Sequence, residues 1–288
     1  MIKKNKLVLI TGATRGLGLL IAKKFWNAGH DLVILSRSGP DLDHISSDFR
    51  VSCGVGQRVH PYLFDLKNIN LIPELIEEIR DAAGMPDIVV NNAAVQGPIG
   101  PLQANDWEQW QACIEVCLLA PVKICQEVIP RMVINNYGRI INISGGGATG
   151  PRPNFSSYAT AKCGLVRFSE TIAHEVSPYN ITVNCVSPGA MKSELTRKIL
   201  AEGINSAGQK EYEIARRLME NDPHNEIKAA DLVFSLTTEP FSGITGKLLS
   251  AVWDSLVDIP KNSAKVTGTD VYTLRRIIPE DRHLEMLG

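Results

Sequence analysis

The sequence predicts an α/β fold, a doubly wound parallel sheet of about seven strands with helices on both faces. Three observations predict it. Short apolar runs rich in branched residues recur along the chain, amphipathic helical stretches separate them, and a glycine-rich turn joins the first run to the first helix.

Taken in order, the apolar runs occupy residues 7–10, 32–35, 59–64, 88–90, 139–143, 181–186 and 247–251. Each reads as a strand buried on both faces. Helical periodicity marks 19–28, 71–83, 106–133, 157–176 and 228–236. Repeated strand-helix-strand order with brief connections is the pattern of a parallel sheet covered on both sides. Residues 191–225 fit it poorly, with mixed polarity and weak helical periodicity. Because ligands of open parallel sheets bind beyond the carboxyl ends of the strands, this segment is expected to cover a substrate, a plain surface excursion being the alternative. The tail, residues 255–288, also lies outside the pattern.

With 288 residues, 44% of them hydrophobic, and a net charge of -1, the chain can bury a large core and shows no composition shift that would divide it. One domain is expected over residues 1–254, with 255–288 as its C-terminal extension. Nothing in the charge pattern suggests nucleic acid as a partner. Lys3, Lys4 and Lys6 form a short basic cluster, and the apolar run after them is too brief to span a bilayer or act as a secretory signal, so a cytoplasmic location is expected. The cysteines at 53, 113, 117, 125, 163 and 185 show no C-x-x-C spacing, which argues against structural disulfides and against a metal site. Cys113 and Cys117 would share a helix face as small apolar residues, with a redox pair as the alternative.

Thr11-Gly12-Ala13-Thr14-Arg15-Gly16-Leu17-Gly18 follows a strand and opens a helix. Glycines there let the backbone approach a pyrophosphate while N–H groups at the helix start face its charge, so Gly12, Thr14, Arg15, Gly16, Leu17 and Gly18 are candidate dinucleotide contacts. At the end of the second strand an acidic residue would select NAD, and an arginine NADP. Ser36, Arg37 and Ser38 stand there, with Arg15 nearby and no carboxylate before Asp41. Two candidate cations favour NADP, with NAD the lesser alternative.

With these features the sequence resembles the short-chain dehydrogenase/reductase family in its single-domain form, over roughly residues 5–254. Further matches are Tyr158-Ala159-Thr160-Ala161-Lys162, Asp65-Leu66, Asn91-Asn92-Ala93-Ala94, Asn142-Ile143-Ser144, and Pro188-Gly189 followed by Ser193. The resemblance implies a Rossmann-type sheet of seven parallel strands and carbonyl/alcohol chemistry linked to NAD(P). By the same resemblance Asp65 and Leu66 meet adenine, and Pro188, Gly189 and Ser193 meet the nicotinamide. Asn91 and Ala93 belong to the cofactor site, Asn91 serving the sheet as an alternative. Homodimers or homotetramers built on the two long helices are implied as well.

Tyr158 and Lys162, four apart on a helix, would point together toward the cofactor. An adjacent ammonium favours a phenolate by Coulomb attraction, which would bring the phenol toward acid/base work. Two expected groups are missing. The family's serine 13 positions before the tyrosine falls on Gly145, inside Ser144-Gly145-Gly146-Gly147, and losing such a donor typically costs about 100- to 1,000-fold in kcat. Ser144 is one position off and would face the other way on a continuing strand, although the glycines could relax this. The family's asparagine on the preceding helix aligns with Cys117. In the tail, Arg275 and Arg276 suit an anionic substrate, with salt bridges in subunit packing as the alternative. The expected function is an NADP-dependent oxidoreductase acting on a small-molecule ketone or secondary alcohol. A cofactor-binding sensor or subunit that has lost catalysis is the second reading, and an epimerase or dehydratase on the same fold a third.

Overall fold

The computed structural model describes residues 5–221 and 223–283; Lys3 and Lys4 of the basic cluster and the last five residues of the tail lie outside them. Seven strands, β1 (Leu7–Thr11), β2 (Asp31–Ser36), β3 (Val59–Leu63), β4 (Ile88–Asn91), β5 (Gly138–Ile143), β6 (Ile181–Ser187) and β7 (Leu248–Ser250), pair in parallel. Their order across the sheet is β3-β2-β1-β4-β5-β6-β7. The chain therefore reverses its direction of travel between β1 and β4, and the strand ends diverge into a crevice at that point.

Alternate residues of each strand enter different cores. Val8, Ile10, Leu32, Ile34, Val90 and Ile141 pack beneath helices α1 (Gly16–Asn27), α2 (Gly39–Val51) and α9 (Asn225–Ser235). Leu9, Val33, Val89 and Ile140 face α3 (Ile72–Ala83), α5 (Ala120–Asn135) and α6 (Ser156–Glu175). Each such fully buried aliphatic side chain stabilises the fold by about 1.5–3 kcal/mol, which explains why the runs are apolar without alternation.

Three departures from the sequence reading have local causes. The single helix expected over 106–133 is α4 (Trp107–Ile114), a π turn (Glu115–Leu119) and α5. Pro121 has no N–H for the carbonyl of Cys117, so the α register cannot continue through this point, and the turn widens instead. Residues 191–225 hold two helices, α7 (Glu194–Ala207) and α8 (Gln209–Glu220), joined by Gly208 at a positive φ of 83°. The helix α2 lies among polar residues, and its buried face, Leu42, Ile45, Ser46 and Phe49, has the helical spacing but only three large apolar side chains.

The sheet edges are protected in different ways. At β3, Pro61 sits where an edge strand tolerates it. At β7, the Leu248 N–H donates to the carbonyl of Tyr272 at 2.8 Å, so the tail covers the edge. Buried Lys247 donates to the carbonyls of Thr269 and Val271 at 2.6 and 3.0 Å, and Glu170 accepts from the Leu274 N–H at 2.7 Å.

Candidate active site

A cavity of about 590 Å³ opens at the crevice between β1 and β4 and runs from the glycine turn to Tyr158 and Lys162. The first wall is the turn itself. Arg15 caps α1 without a side-chain hydrogen bond to it, which leaves the N–H groups of the first turn directed at the cavity. Gly18 is needed for close approach: a Cβ there would collide with the Gly12 carbonyl and lie 2.5 Å from Asn92 Nδ2. Beside the turn, the Thr14 and Ser36 hydroxyls are 3.3 Å apart, and Ser36 Oγ accepts from the Ser38 N–H at 3.1 Å. Arg15 and Arg37 stand exposed on the rim, with Asp41 among the same lining residues. Asp65 and Leu66 form the wall beyond them.

At the far end lie the ends of β5, α6 and β6. Tyr158 and Lys162 are both buried, at 6% and 2% exposure, and both line the cavity. Lys162 Nζ donates to the Ile143 carbonyl at 2.7 Å and stands 5.6 Å from the Tyr158 ring centroid. Burial pushes the Tyr158 phenol above the ordinary tyrosine range, Cys117 and Cys113 push the same way, and the charge that opposes them is Arg152. The Lys162 ammonium is directed at a main-chain carbonyl beside the ring.

Gly145 carries the phenol against its own backbone, leaving no room there for a side chain. Ser144 lines the cavity, contrary to the alternation argument, because β5 ends at Ile143 and its pleat no longer applies. Its hydroxyl is buried and has no hydrogen-bond partner among the described residues. The thiols of Cys113 and Cys117 both donate to the Val95 carbonyl at 3.4 Å. Contact with Cys113, the Lys162 charge and the Val95 N–H hold the Cys117 thiol below its usual range against the effect of burial, while contact with Cys117 and burial push Cys113 up.

Of the predicted cofactor and catalytic residues, Asn91 and Gly189 do not line the cavity. Asn91 Nδ2 donates to Asn142 Oδ1 at 2.8 Å inside the sheet. Its neighbour Asn92, missed as a site residue, lines the cavity and donates to the carbonyls of Thr11 and Gly12 at 3.0 and 3.2 Å. The step from strand into loop turns Asn92 toward the crevice, a signal that the placement of residues 88–90 in a strand already contained. Gly189 forms the turn after β6 at a φ of 80°, packed against Val252. Pro188, Ala93 and Ser193 do line the cavity, and Ser193 caps α7 by accepting from the Thr196 N–H at 3.3 Å. Lys192 and Arg197, also lining it, were hidden in the segment of weak periodicity. Arg275 lies elsewhere, paired with Asp281 at 2.6 Å and Asp270 at 3.2 Å.

A parallel sheet with this crevice, and a buried tyrosine and lysine at its end, defines a dinucleotide-fold oxidoreductase. The family model for short chain dehydrogenases matches residues 6–203, and the chain belongs to that family. Dehydrogenase/reductase SDR family member 4 of Pongo abelii is 30% identical over 243 residues, covering 84% of each chain. The 3-oxoacyl-(acyl-carrier-protein) reductase of Aquifex aeolicus is 30% identical over 249 residues, covering 85% of this chain and 95% of its own. Among solved structures, NAD+-bound xylitol dehydrogenase superposes with a TM-score of 0.76 at 25% identity, over 86% of this chain and 98% of its own. L-sorbose reductase from Gluconobacter frateurii, complexed with NADPH and L-sorbose, gives 0.74 at 25% identity, over 86% and 95%. Among the described residues no helix is long and apolar enough to cross a membrane.

Proposed function

We propose that the chain is an NADP-dependent oxidoreductase that interconverts a ketone and a secondary alcohol. The observation that carries this reading is the single cavity that joins the glycine turn to buried Tyr158 and Lys162. Its glycine turn fits a dinucleotide, since Gly12 and Gly16 hold positive φ of 66° and 52° and Gly18 lets the helix start pack on the Gly12 carbonyl. Gly12, Thr14, Gly16 and Leu17 would hold the pyrophosphate through the turn, Asp65, Leu66 and Ala93 the adenosine side, and Pro188 and Ser193 the nicotinamide side. Arg15 and Arg37 on the rim favour a 2′-phosphate, because guanidinium groups suit phosphate and no acidic residue ends β2.

The bound cofactor supplies a hydride. Tyr158 gives its proton to the carbonyl oxygen in reduction and accepts one in the reverse direction; its elevated phenol keeps it protonated through neutral pH, as the reductive direction requires. Lys162, anchored on Ile143, holds a positive charge behind the ring and is placed to bond the cofactor's ribose. Ser144 has the one free buried hydroxyl on this wall among the described residues, and it takes the part of donor to the carbonyl oxygen that Gly145 cannot. Homodimers or homotetramers built on the helical stretch that contains Cys117, from α4 to α5, and on α6, and a cytoplasmic location, belong to the same reading.

Following nicotinamide absorbance with NADPH and a panel of ketones and aldehydes tests it. Turnover that falls by about 100-fold or more in Tyr158→Phe supports the assignment. Tight NADPH binding without turnover across the panel, unaltered by Tyr158→Phe, favours instead the cofactor-binding sensor suggested by Gly145 and Cys117.

A further inference from the structure

Arg152 is the charged group that the site leaves unexplained. It follows the three glycines, and its side chain folds back over them: a Cβ on Gly146 would lie 3.6 Å from its Cδ and Nε and 3.7 Å from Cζ. The guanidinium stacks on Phe155, 4.0 Å from the ring centroid, and stands 5.8 Å from the centroid of Tyr158. Its Nη2 meets Glu211 Oε2 at 2.7 Å, with side-chain exposures of 15% and 21%. Glu211 belongs to α8, so this ion pair joins the loop beside the phenol to that helix.

The rest of that junction is apolar. Ile199, Ala207 and Ala215 of α7 and α8 pack on Ile99 and Phe155. Neither Arg152 nor Glu211 lines the cavity that reaches Tyr158, so a substrate group that meets the guanidinium does so by displacing Glu211. A half-buried guanidinium stripped of its carboxylate is costly, whereas one that exchanges Glu211 for another oxyanion is not. Gly145 and Gly146 put no side chain of their own between the guanidinium and the phenol, which lie against the places their Cβ atoms would take, and stacking on Phe155 holds the donor fork in place.

We propose that Arg152 is the substrate-recognition residue of this site, and that the substrate carries a compact oxyanion, a carboxylate or a phosphate monoester, that replaces Glu211 on its guanidinium. The inference rests on the oxidoreductase reading above, which it deepens by naming the substrate class.

Binding to the full-length protein, with and without NADP+, is measured by calorimetry for two matched pairs. These are 3-oxobutanoate against its neutral methyl ester, and dihydroxyacetone phosphate against dihydroxyacetone. One charged probe is expected to bind about 10-fold or more tighter than its neutral partner, and which pair shows the difference separates carboxylate from phosphate. Arg152→Met removes that difference and Arg152→Lys keeps part of it. Glu211→Gln tightens the charged probe, because the internal competitor is gone. Both Arg152→Met and Glu211→Gln break the same ion pair, so a purely structural role moves them in one direction, and only recognition moves them in opposite directions. Equal weakening in both variants, equal binding of charged and neutral probes, or no binding of either charged probe overturns the proposal. Charged-probe binding in the expected pattern, with no nicotinamide oxidation for any ketone, leaves recognition standing and removes the oxidoreductase reading.

Discussion

The hydroxyl of Tyr158 rests on the main chain of Gly145, so near that a Cβ at 145 would lie 3.0 Å from the ring's Cε1 and 3.1 Å from Cζ, and nearer still to the oxygen. The absent side chain is therefore matched by the position of the phenol. Gly145→Ser, a change that restores the residue type common in the family, is expected to displace the ring rather than improve the site. A shift of the reacting group by about 1 Å can cost on the order of 100-fold. We expect kcat to fall by about 10- to 100-fold with NADPH affinity kept; a rise in kcat would show that the phenol moves without penalty and that the missing donor limits the rate.

Arg15 and Arg37 flank the rim where a 2′-phosphate would lie. Removing both charges in Arg15→Ser/Arg37→Ser is expected to weaken NADPH by about 10-fold or more and to leave NADH within a few-fold, since each guanidinium–phosphate contact is charge-assisted. Fluorescence titration of both nucleotides measures this, and parallel losses for the two would contradict it. The NADPH effect should also shrink as salt is raised, because both side chains are exposed to solvent.

The buried Tyr158 phenol makes a signed prediction about alkaline stability. Its folded-state pKa is raised above the ordinary 10.0, chiefly by burial. The folded state thus holds this proton more tightly than the unfolded state, and the stability involved is fully present below pH 10 and is lost as pH rises beyond it. Tyr158→Phe should flatten the fall in Tm between about pH 9 and 11 relative to the parent protein. Identical slopes in a pair of thermal melts series would show that the phenol contributes nothing to the alkaline limb.

Removing residues 260–288 should destabilise the sheet rather than the chemistry. The deletion takes away the Thr269 and Val271 carbonyls that accept from buried Lys247 and the Tyr272 carbonyl that pairs with the β7 edge. Leaving a buried ammonium and an edge N–H without these partners should lower Tm by roughly 5 °C or more and promote association through the exposed edge. Calorimetry and light scattering read both effects, and an unchanged Tm would mean that the tail only lies against the surface.

Much of the fold was legible because its signals are local. The seven apolar runs correspond to β1–β7; the five inner strands are buried on both faces and so largely apolar, whereas the edge strands β3 and β7 are buried only in part, contrary to the expectation for them. Helices with a broad apolar face, such as α3, were also visible, whereas α8 buries only Ala215 and the buried face of α2 holds Leu42, Ile45 and Phe49 among mostly polar residues. The π turn at Cys117 was readable in principle from Pro121, but a long amphipathic stretch hid it.

By itself, the sequence determined the strands, the glycine turn that one of them feeds, and the pairing of Tyr158 with Lys162 on one helix face, because these depend on neighbours within a few residues. Tertiary structure alone decided that Asn91 turns into the sheet while Asn92 turns to the crevice, that the phenol takes the place a side chain at 145 would need, and that Arg152 meets Glu211 of α8. Those contacts join residues brought together from separate elements. Their distances follow from how the helices and strands pack on one another, which no stretch of sequence encodes alone.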